Sequence, residues 1–371
     1  MLIGPFRSAE RLVVKVGSSL LVESDGGVRR AWLSSLVADL AQCVAAGTRP
    51  ILVSSGAIAL GARKLGLKAG GRANLEDAQA AAAVGQILLA GLWAELLASH
   101  QLMAAQILLT LADFEDRRRW LNASATLDRL LQLGVVPVLN ENDSVATEEI
   151  RFGDNDRLAA RVAQAAQAQG VVLLSDVAGL YTANPATTPD ARLIERVDDI
   201  ATVRALADTS SGSGMGSGGM AAKLEAARIA TAAGIPLAIA PGHGDHPLAR
   251  FLETGHGTLF SAPAAAPARK AWLAGRMAVA GRLRIDAGAA AALRGGRSLL
   301  AAGVIAVEGD FRRGDAVDVV NADGGLVARG LSAYDAPDVE RIRGLRSEAQ
   351  EARLGYAPRS AVIHRNQLVM L

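Results

Sequence analysis

At 371 residues the chain is long enough for two domains, since a domain usually takes about 100–200 residues. Half of the residues are hydrophobic, but the most apolar long stretch, Ala78 to Ala98, carries Gln79, Gln86 and Glu95, so no membrane span is expected. A formal charge of +2 is too small to argue for nucleic acid by itself, and Cys43, the only cysteine, rules out an intrachain disulfide and fits a reducing compartment. The opening segment, MLIGPFRSAERLVVKVG, lacks a basic region ahead of a long apolar core. No signal peptide is therefore expected, and a cytoplasmic location is.

Arg11 to Val16 is a short β-branched run that ends in Gly17-Ser18-Ser19, the pattern of a buried strand feeding a small-residue turn. Lys15 lies one residue from the end of that run, where it either snorkels at a sheet edge or meets an anion beyond the strand terminus. The same arrangement then repeats. A helix over 31–46 leads to a strand over 50–53 and to Ser54-Ser55-Gly56, whose hydroxyls either cap the next helix or receive a carboxylate. A helix over 75–99, a strand over 103–108, a helix over 120–133 and a strand ending at Leu139 continue the alternation, which implies a parallel sheet covered on both faces.

At Leu139 four polar residues arrive together, Asn140-Glu141-Asn142-Asp143, as a binding loop would. Ten residues later Gly153-Asp154-Asn155-Asp156 precedes a helix over 158–168, so one of them can cap that helix while the others face a ligand. A strand over 170–175 ends in Ser175-Asp176, and Tyr181 beyond it either stacks on a base or closes its loop. The most glycine-rich stretch, from Ser210 to Met220, opens a helix that carries Lys223 in its first turn. Its amides can cradle phosphates, although a linker would be equally rich in glycine. The stretch lacks the Walker A pattern, and no GxGxxG follows the first strand.

Pro236 to Ala240 is read as the last strand of this unit. His243, Asp245, His246 and His256 match no helix-borne metal pattern, so no metal site is expected there. A Pro/Ala run over 263–275 then divides a first domain, 1–262, from a second, 276–371, whose short strand-like runs and glycine turns indicate a small β-rich barrel. Those runs are 283–285, 303–307, 316–320, 326–328 and 361–363. From Arg269 onward 16 lysines and arginines face 11 acidic residues, so the tail is mildly basic.

Two lysines in glycine-rich settings, carboxylates on loops after parallel strands and the lack of a plausible nucleophilic triad suit phosphoryl transfer, which needs positioning and charge neutralisation. On VVKVGSS, VSSGAIALG, VPVLNENDSVATEEIRFGDNDRLAA, LLSDVAGLYTANP and SGGMAAK, the chain resembles the amino acid kinase family, most closely its glutamate-phosphorylating branch. Its tail resembles the PUA domain of many bacterial members. The resemblance implies an amino-acid-kinase-like α/β sandwich with a mainly parallel central sheet, followed by a PUA-like barrel.

It also implies an ATP- and Mg²⁺-dependent phosphorylation of the L-glutamate γ-carboxylate, the opening step of proline biosynthesis. By the same resemblance Lys15 and Lys223 contact the transferred phosphate and Asp156 holds both lysines. Ser55, Asp143 and Asn155 match the glutamate-binding positions. Lys15, Ser175, Asp176, Ser217, Gly218, Gly219, Met220, Ala221, Ala222 and Lys223 match the nucleotide-binding ones. The family further implies proline as feedback inhibitor and a homodimer or homotetramer. The alternatives are acetylglutamate or aspartate kinase chemistry within the same fold, and an RNA-binding or RNA-modifying role carried by the tail.

Overall fold

The computed structural model describes residues 3–23, 27–145, 155–185, 187–207, 219–262 and 279–370. It falls into two compact units, Met1–Ala265 and Ala266–Leu371.

The first unit is built on an eight-stranded sheet. Its strands are β1 (Arg11–Val16), β2 (Arg49–Ser54), β3 (Met103–Leu109), β4 (Val135–Glu141), β5 (Gly170–Ser175), β6 (Arg196–Val197), β7 (Leu237–Pro241) and β8 (Thr258–Phe260). The spatial order is β3-β4-β2-β1-β5-β7-β8-β6. All pairings are parallel except β7 with β8. β7 is thus not the last strand of the unit. The chain turns back through a short helix to add β8 antiparallel to it, and β8 carries the two-residue β6 at the edge.

Strands in the middle of such a sheet have no solvent face, which is why β1 and β5 are apolar almost throughout. Side chains alternate between the two faces. Val14 and Val16 of β1 join one core with α1 (Arg30–Ala45), α3 (Leu75–Ala98) and α7 (Pro247–Thr254), through Leu36, Trp93 and Phe251. Val13, Ile51 and Leu173 join the other core, under α4 (Arg117–Gln132), α5 (Asn155–Ala166) and α6 (Met220–Ala232), through Leu127, Leu158 and Leu224. Two residues on from Val13, Lys15 shares the face of α5 and α6.

α3 is long and apolar enough to cross a membrane by composition, yet Leu89, Trp93 and Leu97 are fully buried in the first core. It meets α2 (Ala57–Leu65) at backbone contact. A Cβ on Gly85 would lie 1.7 Å from the Ala57 carbonyl oxygen, and one on Gly61 would lie 1.8 Å from that of Ala81. Only glycine at both crossings permits this approach.

β4 runs two residues beyond its apolar stretch, because Asn140 and Glu141 stay in register with Leu108 and Leu109 of β3. The polar residues are therefore strand residues, both buried, rather than the start of a loop. Of the histidines over 243–256, His246 has a side-chain partner within the fold. Asp39 of α1 accepts hydrogen bonds from the Leu248 and Ala249 amides at the start of α7, and its other oxygen is 2.7 Å from Nδ1 of His246.

In the second unit β9 (Gly281–Ile285), β10 (Val304–Gly309), β11 (Ala316–Val320), β12 (Leu326–Leu331) and β13 (Leu368–Met370) form a five-stranded sheet ordered β10-β9-β11-β12-β13. A core of Leu283, Phe311, Val319 and Val339 packs on it. The run 361–363 is not a strand: Ile363 makes only an isolated bridge to Leu299, and the edge position belongs to β13. The Pro/Ala run 263–275 lies outside the described residues.

Candidate active site

In a parallel sheet every strand delivers its carboxyl end to the same edge, and helices start beside it. Lys15 is the penultimate residue of β1 and is registered against Val53 and Leu173. Asp156 is the second residue of α5, and Lys223 lies in the first turn of α6. The face shared by Lys15, α5 and α6 brings the three side chains together. Lys15 Nζ is 2.7 Å from Asp156 Oδ1, and Lys223 Nζ donates to Oδ2 at 3.1 Å. All three are buried, Asp156 to within 1% of complete.

Burial by itself would raise the Asp156 carboxyl, but the two ammonium groups outweigh it and hold it at about 2. One carboxylate thus spaces two cations whose net charge of one positive unit faces the strand ends.

β2 ends at Ser54, and Ser55-Gly56 turn into α2, with Gly56 at φ 114° as the N-cap. Ser55 is fixed twice, by its amide to the Val16 carbonyl at 3.0 Å and by its hydroxyl, which accepts from Asn155 Nδ2 at 3.0 Å. Asn155 also donates to Asn140 Oδ1 and accepts from the Glu141 amide. Asp143 follows β4 on a single 3₁₀ turn, 5% exposed, and its Oδ1 has no hydrogen-bond partner among the described residues. Burial pushes its carboxyl up to about 6, against a smaller downward pull from Arg72. A cavity of about 260 Å³ opens beside it, lined by Gln86, Gln106, Glu141, Asn142 and Asp143 among others. A buried, unpaired acidic oxygen at the edge of a cavity is a place for a ligand cation such as an ammonium group.

On the other side of β1, Ser175 closes β5, its hydroxyl donating to Asp176 Oδ1 and accepting from the Val177 amide. Gly219 caps α6 and is followed by Met220, Ala221 and Ala222, so backbone amides rather than side chains face outward at this helix start. Ser217 and Gly218 lie outside the described residues. The other sequence-derived site residues therefore form two lobes with Lys15, Asp156 and Lys223 between them. One lobe contains Ser55, Asp143 and Asn155, and the other Ser175, Asp176 and the start of α6.

Two residues of this site, Gln86 and Trp93, were not singled out from the sequence, and Asn140 was read there only as the start of a binding loop. Asn140 joins Asn155 to Gln86, and the indole of Trp93 donates to Ser54 Oγ at 2.9 Å. The available signal was the spacing of seven between Gln86 and Trp93, which puts two hydrogen-bonding groups on one face of an alanine- and leucine-rich helix.

Residues 10–241 match the model of the amino acid kinase family, and residues 281–353 match the PUA domain. The chain is 62% identical to the glutamate 5-kinase of Sphingopyxis alaskensis over 100% of both chains. It is 60% identical to that of Zymomonas mobilis over 97% of this chain and 91% of the relative. Among solved structures, a carbamate kinase from Giardia lamblia bound to AMP-PNP is 14% identical and matches 69% of this chain and 100% of its own, with a TM-score of 0.51. That likeness concerns the fold.

Proposed function

The chain belongs to the amino acid kinase family, and on that premise we propose that it transfers the γ-phosphoryl group of ATP to the γ-carboxylate of L-glutamate, giving L-glutamyl 5-phosphate, the first step of proline biosynthesis. The observation that carries this reading is the buried Lys15–Asp156–Lys223 bridge between the two lobes. In the transfer a carboxylate oxygen of glutamate forms a bond to the γ-phosphorus while the bond from that phosphorus to the β,γ-bridging oxygen breaks, and ADP leaves with the electron pair. The attacking carboxylate is already ionised at neutral pH, so no side chain has to remove a proton.

The protein's task is to align the two anions and neutralise the charge gathered between them. Lys15 and Lys223 do this from opposite sides, and Asp156 holds both ammonium groups in place. On the glutamate lobe Asp143 takes the α-ammonium group, while Ser55 and Asn155 orient the carboxylates. On the nucleotide lobe Ser175, Asp176 and the amides from Ser217 to Lys223 receive ATP.

Among the described residues no group of three or more His, Cys, Asp or Glu is assembled that could hold a metal, and both oxygens of Asp156 are engaged by lysines. This donor set fits a Mg²⁺ that arrives on the ATP phosphates and is held by them and by water. When bound, the ion supplies further neutralisation of the β- and γ-phosphates.

The same reading makes proline, which shares the α-carboxylate and α-nitrogen of glutamate, a feedback inhibitor at or near the glutamate lobe. It also makes the enzyme a cytoplasmic homodimer or homotetramer. The deciding experiment traps the acyl phosphate with hydroxylamine while the amino acid and the nucleotide are varied. Hydroxamate formed only with L-glutamate and ATP is the expected result. Equal yields from aspartate or N-acetylglutamate would assign the site to another branch of the family. Salt-sensitive RNA retention without any acyl phosphate would favour the RNA-binding alternative.

A further inference from the structure

Gln86 lies on α3 at the border of the cavity that holds Asp143, outside the residues given a role above. Its bonding can be followed through a chain of amides with one possible direction. The chain starts at the Glu141 amide, a backbone N–H that can only donate, and it donates to Asn155 at 3.2 Å. The receiving atom is therefore Oδ1, which leaves Asn155 Nδ2 to act as donor toward Asn140 at 2.9 Å and toward Ser55 Oγ at 3.0 Å. Asn140 must then present Oδ1 to Asn155, so its Nδ2 faces Gln86 and donates to Oε1 at 2.7 Å. An isolated amide has no such preference between its two ends, but here one backbone donor sets the orientation of all three.

The chain has a consequence at the substrate end. Because the Ser55 oxygen accepts from Asn155, its hydroxyl proton is directed to an acceptor outside the relay, and a substrate carboxylate is such an acceptor. At the other end Gln86 Oε1 is the acceptor that keeps the Asn140 amide from turning over. A turned Asn140 would set its NH₂ group against that of Asn155, and two donors facing each other in a buried site are each left unsatisfied.

The rest of α3 supports the same function. Trp93, two turns along the same face, donates to Ser54 Oγ, and that hydroxyl donates to the Ser55 carbonyl at 3.0 Å. α3 therefore reaches the ends of both β2 and β4. Gly85, beside Gln86, allows the backbone contact with α2 that sets the depth of this helix. A helix that served packing alone would not need two polar contacts, seven residues apart, to the ends of the strands that carry the site.

We propose that Gln86 is a positioning residue for substrate recognition: by accepting from Asn140 it keeps Asn140 Oδ1 turned to Asn155, so that Asn155, whose polarity the Glu141 amide sets, stays in place on the Ser55 oxygen and the Ser55 hydroxyl stays directed toward the carboxylate of glutamate. The inference rests on the glutamate assignment made above. The test uses the full chain with Gln86→Met, which keeps length and apolar volume but removes the acceptor, compared with Asn155→Ala and the double variant. Gln86→Leu is made as a second version of the same deletion.

Gln86→Met should raise the glutamate KM by about tenfold or more, as the loss of an orienting hydrogen bond within a buried network does. The KM for ATP should stay within about twofold, and the melting temperature should remain close to that of the parent. Combined with Asn155→Ala it should add less than about twofold to the single Asn155 variant, because the relay is already cut. An unchanged glutamate KM would overturn the proposal, and so would effects that multiply in the double variant. Equal changes in both KM values accompanied by a lower melting temperature would reduce Gln86 to a packing residue. The parent enzyme assayed in parallel separates this from the larger question: no glutamate turnover by the parent defeats the functional assignment, whereas turnover by the parent that Gln86→Met leaves untouched defeats only the relay.

Discussion

Asp143→Asn should make the free protein more stable and the enzyme worse at holding glutamate, with both effects dependent on pH. The Asp143 carboxyl ordinarily titrates near 3.8 and burial raises it to about 6 in the folded chain. Moving a carboxyl that far costs the ionised folded state roughly 3 kcal/mol. The folded value lies above the unfolded one, so the cost is absent below about pH 3.8, grows as pH rises toward 6 and is complete above it. At pH 8 the Asn variant, which carries no charge to bury, should therefore melt roughly 5 °C or more above the parent, and near pH 4 the two should converge. Saturating glutamate should reverse the order at pH 8, because its ammonium group pairs with the Asp143 carboxylate and stabilises the parent by mass action. In the free enzyme kcat/KM for glutamate should fall about tenfold per pH unit below about 6, and this limb should vanish in the variant. Thermal melts at two pH values, with and without glutamate, test all of this at once. A variant that is less stable than the parent at pH 8 without ligand, or equally stabilised by glutamate, would refute the assignment of Asp143 as an unpaired receptor for the ammonium group.

Three other outcomes follow from the same geometry. Lys223→Ala should lower kcat by roughly 10²–10³ with little change in glutamate KM, since its ammonium group lies on Asp156 between the lobes; a parental kcat would remove Lys223 from the chemistry. Gly85→Ala should destabilise by roughly 1–3 kcal/mol or more because the new Cβ meets the Ala57 carbonyl oxygen, whereas Gly91→Ala on the same helix, with nothing within 4 Å, should stabilise by up to about 1 kcal/mol. Melts of the two variants that agree in sign would contradict the contact between α2 and α3. The chain ended at Ala262 should fold and phosphorylate glutamate, because each residue given a chemical role lies before that point. A rate loss beyond about 10², with native-like circular dichroism, would mean that the second unit completes the site.

The layered α/β order was legible because its signals are local. β1, β2 and β5 are mostly apolar runs followed by small polar turns, and the helix patterns over 31–46, 75–99 and 120–133 agree with α1, α3 and α4 to within a few residues. The misreadings occurred where pairing rather than side-chain character sets an element. β4 includes Asn140 and Glu141 because β3 runs alongside that far, whatever their polarity. β6 and β8 have too few residues to show a period, and β8 exists because β7 offers it an edge. The run 361–363 has the composition of a strand but finds only Leu299 as a partner.

The site divides in the same way. A parallel sheet brings Lys15, Ser55, Asp143 and Ser175 toward one edge, so their proximity follows from topology once each is seen to stand at or just beyond a strand end. Asp156 and Lys223 are 67 residues apart on different helices, and no spacing rule predicts that one carboxylate will hold two lysines. Those roles came from resemblance to the family, and the structure supplies the distances. Gln86 shows the limit of both routes. It begins no motif, and within an alanine- and leucine-rich helix a glutamine reads as a solvated position. Its meaning depends on the direction of hydrogen bonds through Asn140 and Asn155, which is a property of three elements brought together rather than of any one stretch of sequence.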